Sequence, residues 1–157
     1  MERKPLVLDG NGNVTQLQPG DTLDARAKEV DSFGMINEDL NPIVKLSPVY
    51  ISSSANVKPA QANAPATSKV IGLAVEQIAP AANGSIQTDG QITATQAEWD
   101  GVTGQTGGLT PGATYFLDEA NPGKLRVTAP TSGSLVVIGD ALSDVALDLN
   151  VEKPILL

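Results

Sequence analysis

Apolar residues in this 157-residue chain come in short runs, not at helical spacing. From residue 46 onward, β-branched and large apolar side chains gather at 49–51, 70–75, 85–88, 114–117, 125–128, 135–138 and 145–151, with Gly, Pro, Ser and Asn between them. Short runs bounded by turn formers predict strands, and many in succession predict a barrel or a sandwich. One helix interrupts them. Thr95-Gln-Ala-Glu98 has the form of a capping box, Trp99 and Val102 fall three apart on one face, and Gly104 supplies a stop, so the helix spans about two turns over 96–102.

Residues 1–45 read differently. They carry 13 charged groups, against 15 in the 112 positions that follow, and after Leu23 they show no sustained period of 2 or 3.6. This predicts an extended arm. Its first part has local order: Leu6, Val7 and Leu8 on one side and Val14 to Leu17 on the other flank Asp9-Gly-Asn-Gly-Asn13, residue types that tolerate positive φ, so a β-hairpin is expected over about 6–17. The same oxygens invite comparison with a calcium loop. Val14 stands where such a loop needs its glycine and Gly20 where it needs its glutamate, so the hairpin prevails.

The body, 46–157, contains a faint repeat. Pro48-Val-Tyr-Ile leads to Val70-Ile-Gly72-Leu-Ala, and Ala113-Thr-Tyr-Phe-Leu leads to Val137-Ile-Gly139-Asp-Ala. Two related halves, 46–92 and 107–157, are therefore expected on either side of the helix. Each would hold a strand broken by a glycine, the mark of a bulge or a close backbone approach.

Composition narrows the chemistry. The chain has neither Cys nor His, which removes thiol and imidazole nucleophiles, bases and metal ligands. A net charge of −8 argues against nucleic acid as a partner. No run approaches the ~18 apolar residues of a membrane-spanning helix, and the N-terminus lacks the apolar stretch of a signal peptide, so no membrane partner is expected. Carboxylates are the remaining catalytic candidates. Asp118 and Glu119 are adjacent in a turn, Asp140, Asp144 and Asp148 recur without placing a fixed pair on one face, and Glu98 is accounted for by capping; no enzyme, cofactor or metal is predicted. Of five aromatic residues, Tyr50, Trp99, Tyr115 and Phe116 are the expected core or oligomer anchors.

The segment order 48–51, 56–60, 70–74 and 84–90 resembles that of tailed-phage head decoration (capsid cement) proteins. The stretch Ile92 to Trp99, with Gly107 to Leu117, Gly123-Lys-Leu125 and the Pro154-Ile-Leu-Leu157 end, resembles a phage virion module also found in tail fibres. The resemblance covers most of 46–157. It implies a non-enzymatic virion protein made in the bacterial cytoplasm, with a small β-barrel body, seated as a homotrimer on the outer capsid surface and bound to the major capsid protein. In that reading the arm residues Leu6, Val7, Leu8, Val14 and Leu17 contact the capsid by adding strands to neighbouring subunits. The arm is longer than in lambda-type proteins and the body larger. A tail-fibre, baseplate or receptor-binding module is the alternative.

Overall fold

The computed structural model describes two strands near the N-terminus and residues 32–157. Strand β1 (Leu6–Leu8) pairs antiparallel with β2 (Val14–Gln16), Val7 opposite Thr15. Leu17, the connecting residues 9–13 and the side chains of this hairpin lie outside the described residues.

The body is mainly β with one short helix, as the pattern of short apolar runs predicts. Strands β3 (Ser32–Asn37), β4 (Pro48–Ser53), β5 (Asn56–Pro59), β6 (Val70–Ala74) and β7 (Asn83–Gln87) form a closed barrel in the order β3-β5-β4-β6-β7. A second sheet holds β8 (Asp89–Thr93), β9 (Thr114–Leu117), β10 (Leu125–Arg126), β12 (Val137–Ala141) and β13 (Ala146–Asn150), in the order β10-β9-β12-β13-β8. Strands β11 (Ser134–Leu135) and β14 (Ile155–Leu156) make a separate antiparallel pair. Helix α1 (Gln96–Thr103) joins β8 to β9; Thr95 closes the capping box with Glu98, and Gly104 ends the helix at φ 68°.

Residues 32–45, expected to belong to the arm, are part of the barrel unit instead. Ser32–Asn37 pairs with β7 on one edge and, in parallel, with β5 on the other, so it closes the barrel. Met35 and Ile43 are buried inside it with Val49, Val57, Ala74, Ile78 and Ile86. Asn37 disguised this strand. It is a polar residue at an inward position, nearly inaccessible, and its amide is satisfied by the carbonyls of Asn41 and Ile78, each at 2.9 Å.

The two sheets share one strand order, counted from a strand earlier than the expected halves begin. Read from β5, the barrel order is β5-β4-β6-β7-β3, and the second sheet has the same order of equivalent strands, β10-β9-β12-β13-β8, with every one of these neighbours antiparallel. The units are thus 32–87 and 89–150 instead of 46–92 and 107–157. Both β4–β6 and β9–β12 are bulged next to the Val-Ile-Gly run: Val49 faces Gly72 and Tyr50 faces Val70, while Tyr115 faces Gly139 and Phe116 faces Val137. Val49, not Tyr50, is therefore the equivalent of Tyr115. The entry turns match as well. Leu46 (φ 69°) donates its N–H to the Ala74 carbonyl at 2.7 Å, and Gly112 (φ 78°) donates to that of Ala141 at 2.8 Å.

The units differ in closure. In the first, β3 and β5 pair; in the second, the equivalent β8 and β10 do not, and α1 packs against β10. Trp99 of α1 is fully buried and donates its indole N–H to the Val145 carbonyl at 3.0 Å. The larger apolar core joins the two units: Leu46, Ala60, Ala62 and Leu73 of the first pack with Trp99, Tyr115, Leu117, Ile138 and Leu147 of the second.

Candidate interaction surface

The predicted anchors separate in the structure. Trp99 and Tyr115 are fully buried, and the Tyr115 hydroxyl donates to Gln105 Oε1 while accepting the Thr110 N–H at 2.9 Å. Both are core residues. Tyr50 is half-buried against the shared core, and Phe116 is half-buried on β9. Of the arm residues, Leu6, Val7, Leu8 and Val14 occupy the paired hairpin strands; their side chains and Leu17 lie outside the described residues.

The carboxylates are mostly tied to local structure. Asp118 accepts the Ala120 N–H at 2.7 Å and organises its own turn, and Glu119 is ion-paired with Arg126, which holds the guanidinium pKa above its usual value. Asp100 accepts from the N–H groups of Gly107 and Gly108 at 3.1 and 2.7 Å, fixing the loop after α1. Asp144 accepts from Gln96 at 2.6 Å. One expectation is overturned here. Asp140 and Asp148 stand directly opposite each other on β12 and β13, so they share an exposed sheet face, with Thr114 and Gln91 continuing the row. The strand pairing, invisible to spacing along the chain, brings them together. Asp140 is satisfied by the Thr114 hydroxyl at 2.6 Å.

Two charged links carry perturbed carboxyls. Glu98 accepts from Lys45 Nζ at 2.8 Å and from the backbone N–H and hydroxyl of Thr95 at 2.9 and 3.0 Å, and the Lys45 ammonium is the largest cause of a pKa lowered to about 2. Glu38 is also lowered, chiefly by the Ser52 hydroxyl and then by Ser53, with Lys58 adding attraction from 4.0 Å. Both tie strands or loops together. Among the described residues no three His, Cys, Asp or Glu side chains gather in a way that could hold a metal.

A cleft of ≈ 590 Å³ opens among the described residues between the start of β6 and the C-terminal segment. Lys69, Val70, Ile71 and Pro65 form one wall. Val151, Glu152, Lys153, Pro154 and Leu156 form the other, with Ser134 at the base. Ser134 is buried and shares a hydrogen bond with Ser68 at 3.2 Å. Beside the cleft the chain ends on Ile155, Leu156 and Leu157, exposed by 56, 71 and 55%. No sequence signal pointed to this cleft, because its walls are some eighty residues apart in the chain.

No protein-family model matches the chain, and no curated protein matches it.

Proposed function

We propose that this protein is a non-enzymatic structural component of a phage virion that decorates and stabilises the capsid by docking on the major capsid protein lattice, as a homotrimer on the outer surface. The observation that carries the reading is a coincidence of segments. The four stretches on which the resemblance to capsid cement proteins rests, at 48–51, 56–60, 70–74 and 84–90, hold β4, β5, β6 and most of β7, which make up the barrel with β3. The N-terminal hairpin precedes this barrel and serves as the docking element, adding backbone hydrogen bonds to a sheet edge on the shell.

The test uses expanded capsids stripped of decoration. Full-length protein should add to them saturably, and a chain lacking residues 1–17 should not, while its circular dichroism stays that of a folded β-protein. Equal saturation by the truncated chain would refute the docking mechanism. Cryo-electron microscopy of the virion decides the location: density repeated over the shell supports decoration, and density confined to the tail replaces it with a tail-fibre or receptor-binding role.

A further inference from the structure

We propose that the cleft between β6 and the C-terminal strand is a docking slot for an extended, acidic polypeptide segment of a partner protein, which binds there by strand addition. This goes beyond the capsid reading and requires neither a capsid nor the N-terminal hairpin.

Three observations converge on that occupant. The first is backbone edges. Strand β6 pairs with β4 from Val70 to Leu73, but with β7 only at Leu73 and Ala74, so among the described residues no strand lies beside Val70 and Ile71 on their second edge. Among the described residues β14 pairs with β11 alone, leaving its other edge open. Unpaired strand edges bordering one cleft are what an added strand uses, its main chain supplying affinity and its alternate side chains filling apolar ground.

The second is apolar surface. Val70, Ile71, Val151, Pro154 and Leu156 line the cleft, and its ≈ 590 Å³ lies in the range of functional pockets. The third is charge. Six Lys or Arg residues fall within 32–157. Lys45 and Arg126 are ion-paired, Lys58 lies 4.0 Å from Glu38, and Lys124 donates to the Gly101 carbonyl. The two without a partner among the described residues, Lys69 and Lys153, both line this cleft. Glu152 on the same rim leaves the slot with a net positive charge on a chain whose total is −8. Two unspent ammonium groups flanking an apolar floor favour a strand with carboxylates at its ends, and they oppose a second copy meeting the same face about a two-fold axis, which would bring four lysines together.

The probe is a capped pentapeptide of alternating valine and threonine with an aspartate at each end, titrated into the isotope-labelled full chain and followed by amide chemical shifts. Shifts should concentrate at Val70, Ile71, Lys153, Ile155 and Leu156 and weaken as salt is raised. The double variant K69E/K153E should bind about tenfold or more weakly with its remaining spectrum unchanged. Leu156→Asp, altering only an exposed side chain, should also weaken binding. A twin peptide with lysines in place of the aspartates should not bind. The proposal is overturned if the peptide causes no shifts or shifts elsewhere, if the lysine twin binds equally, or if the double variant keeps full affinity. It is overturned in favour of self-association if the chain alone shows concentration-dependent sedimentation that K69E/K153E removes. Equal saturation of capsids by the truncated chain, which would refute the capsid docking mechanism, leaves these readouts untouched, so the two readings fail separately.

Discussion

Gly72 and Gly139 occupy equivalent places and are required for the same reason. A Cβ at Gly72 would sit 2.1 Å from the Gln87 carbonyl oxygen, and one at Gly139 would sit 2.2 Å from that of Asp148. Both obstacles are backbone of the neighbouring strand and cannot swing aside, so relief requires prying β6 from β7 or β12 from β13. Gly72→Ala and Gly139→Ala should each destabilise the fold by about 3 kcal/mol, the upper range for overpacking. Gly101 supplies the contrast. It lies inside α1, and a Cβ there meets nothing within 4 Å. Gly101→Ala should stabilise the protein by about 0.5–1 kcal/mol through better helix propensity and a less flexible unfolded chain. Urea midpoints at unchanged m-value check all three. Equal tolerance of alanine at positions 72, 139 and 101 would contradict the close strand approach.

At the scale of elements, α1 is held at its first turn by a link that reaches into the other unit. Glu98 closes the capping box and also binds Lys45, in the loop between β3 and β4. Its folded pKa, about 2, lies below the ordinary 4.5. The stabilisation it brings is therefore fully present above pH ~4.5 and fades as pH falls through about 2. With the carboxylate side chain 36% exposed, solvent screening limits the effect to about 1 kcal/mol or less. Glu98→Gln should lower stability at pH 7 and converge with the parent near pH 2; a constant difference across that range would show that the charge is not what matters. Elements with such local signals were legible in the sequence: the helix with its cap and stop, the hairpin strands, and strands rich in Val and Ile. Strand β3 was not, because its inward Asn37 breaks the apolar alternation and needs carbonyls from Asn41 and Ile78 to be stable there. Strand β8 was missed beside the helix. Its carbonyls at Asp89 and Gln91 accept from the buried Gln87 side chain, an edge guard supplied by the other unit. The cleft was illegible for the same reason, since only tertiary pairing sets 65–71 against 151–156.

For the whole molecule, two similar five-stranded units raise the question of whether they fold as two domains or one. Their separate strand orders suggest two, but the buried contacts argue otherwise. Leu46, Ala60, Ala62 and Leu73 of the first unit are completely buried, and they pack in the core that holds Trp99 and Leu147. The connection between β5 and β6 is also stitched into the second unit by backbone: Ala62 N–H to the Asp118 carbonyl at 2.9 Å, Gly123 N–H to that of Ala60 at 2.8 Å, and Ser134 N–H to that of Ala62 at 2.8 Å. Separating the units would strand these donors and acceptors and return several apolar side chains to water, at about 1.5–3 kcal/mol for each large one. Neither unit can lose that much and remain folded within an ordinary margin of 5–15 kcal/mol. One cooperative transition is therefore expected. Trp99, the sole tryptophan, reports the second unit by fluorescence, and far-ultraviolet circular dichroism reports both. Their urea unfolding curves should superimpose with one midpoint and one slope. A dichroism change that persists after the fluorescence transition is complete would show that the barrel survives alone, and that the shared core is weaker than its burial implies.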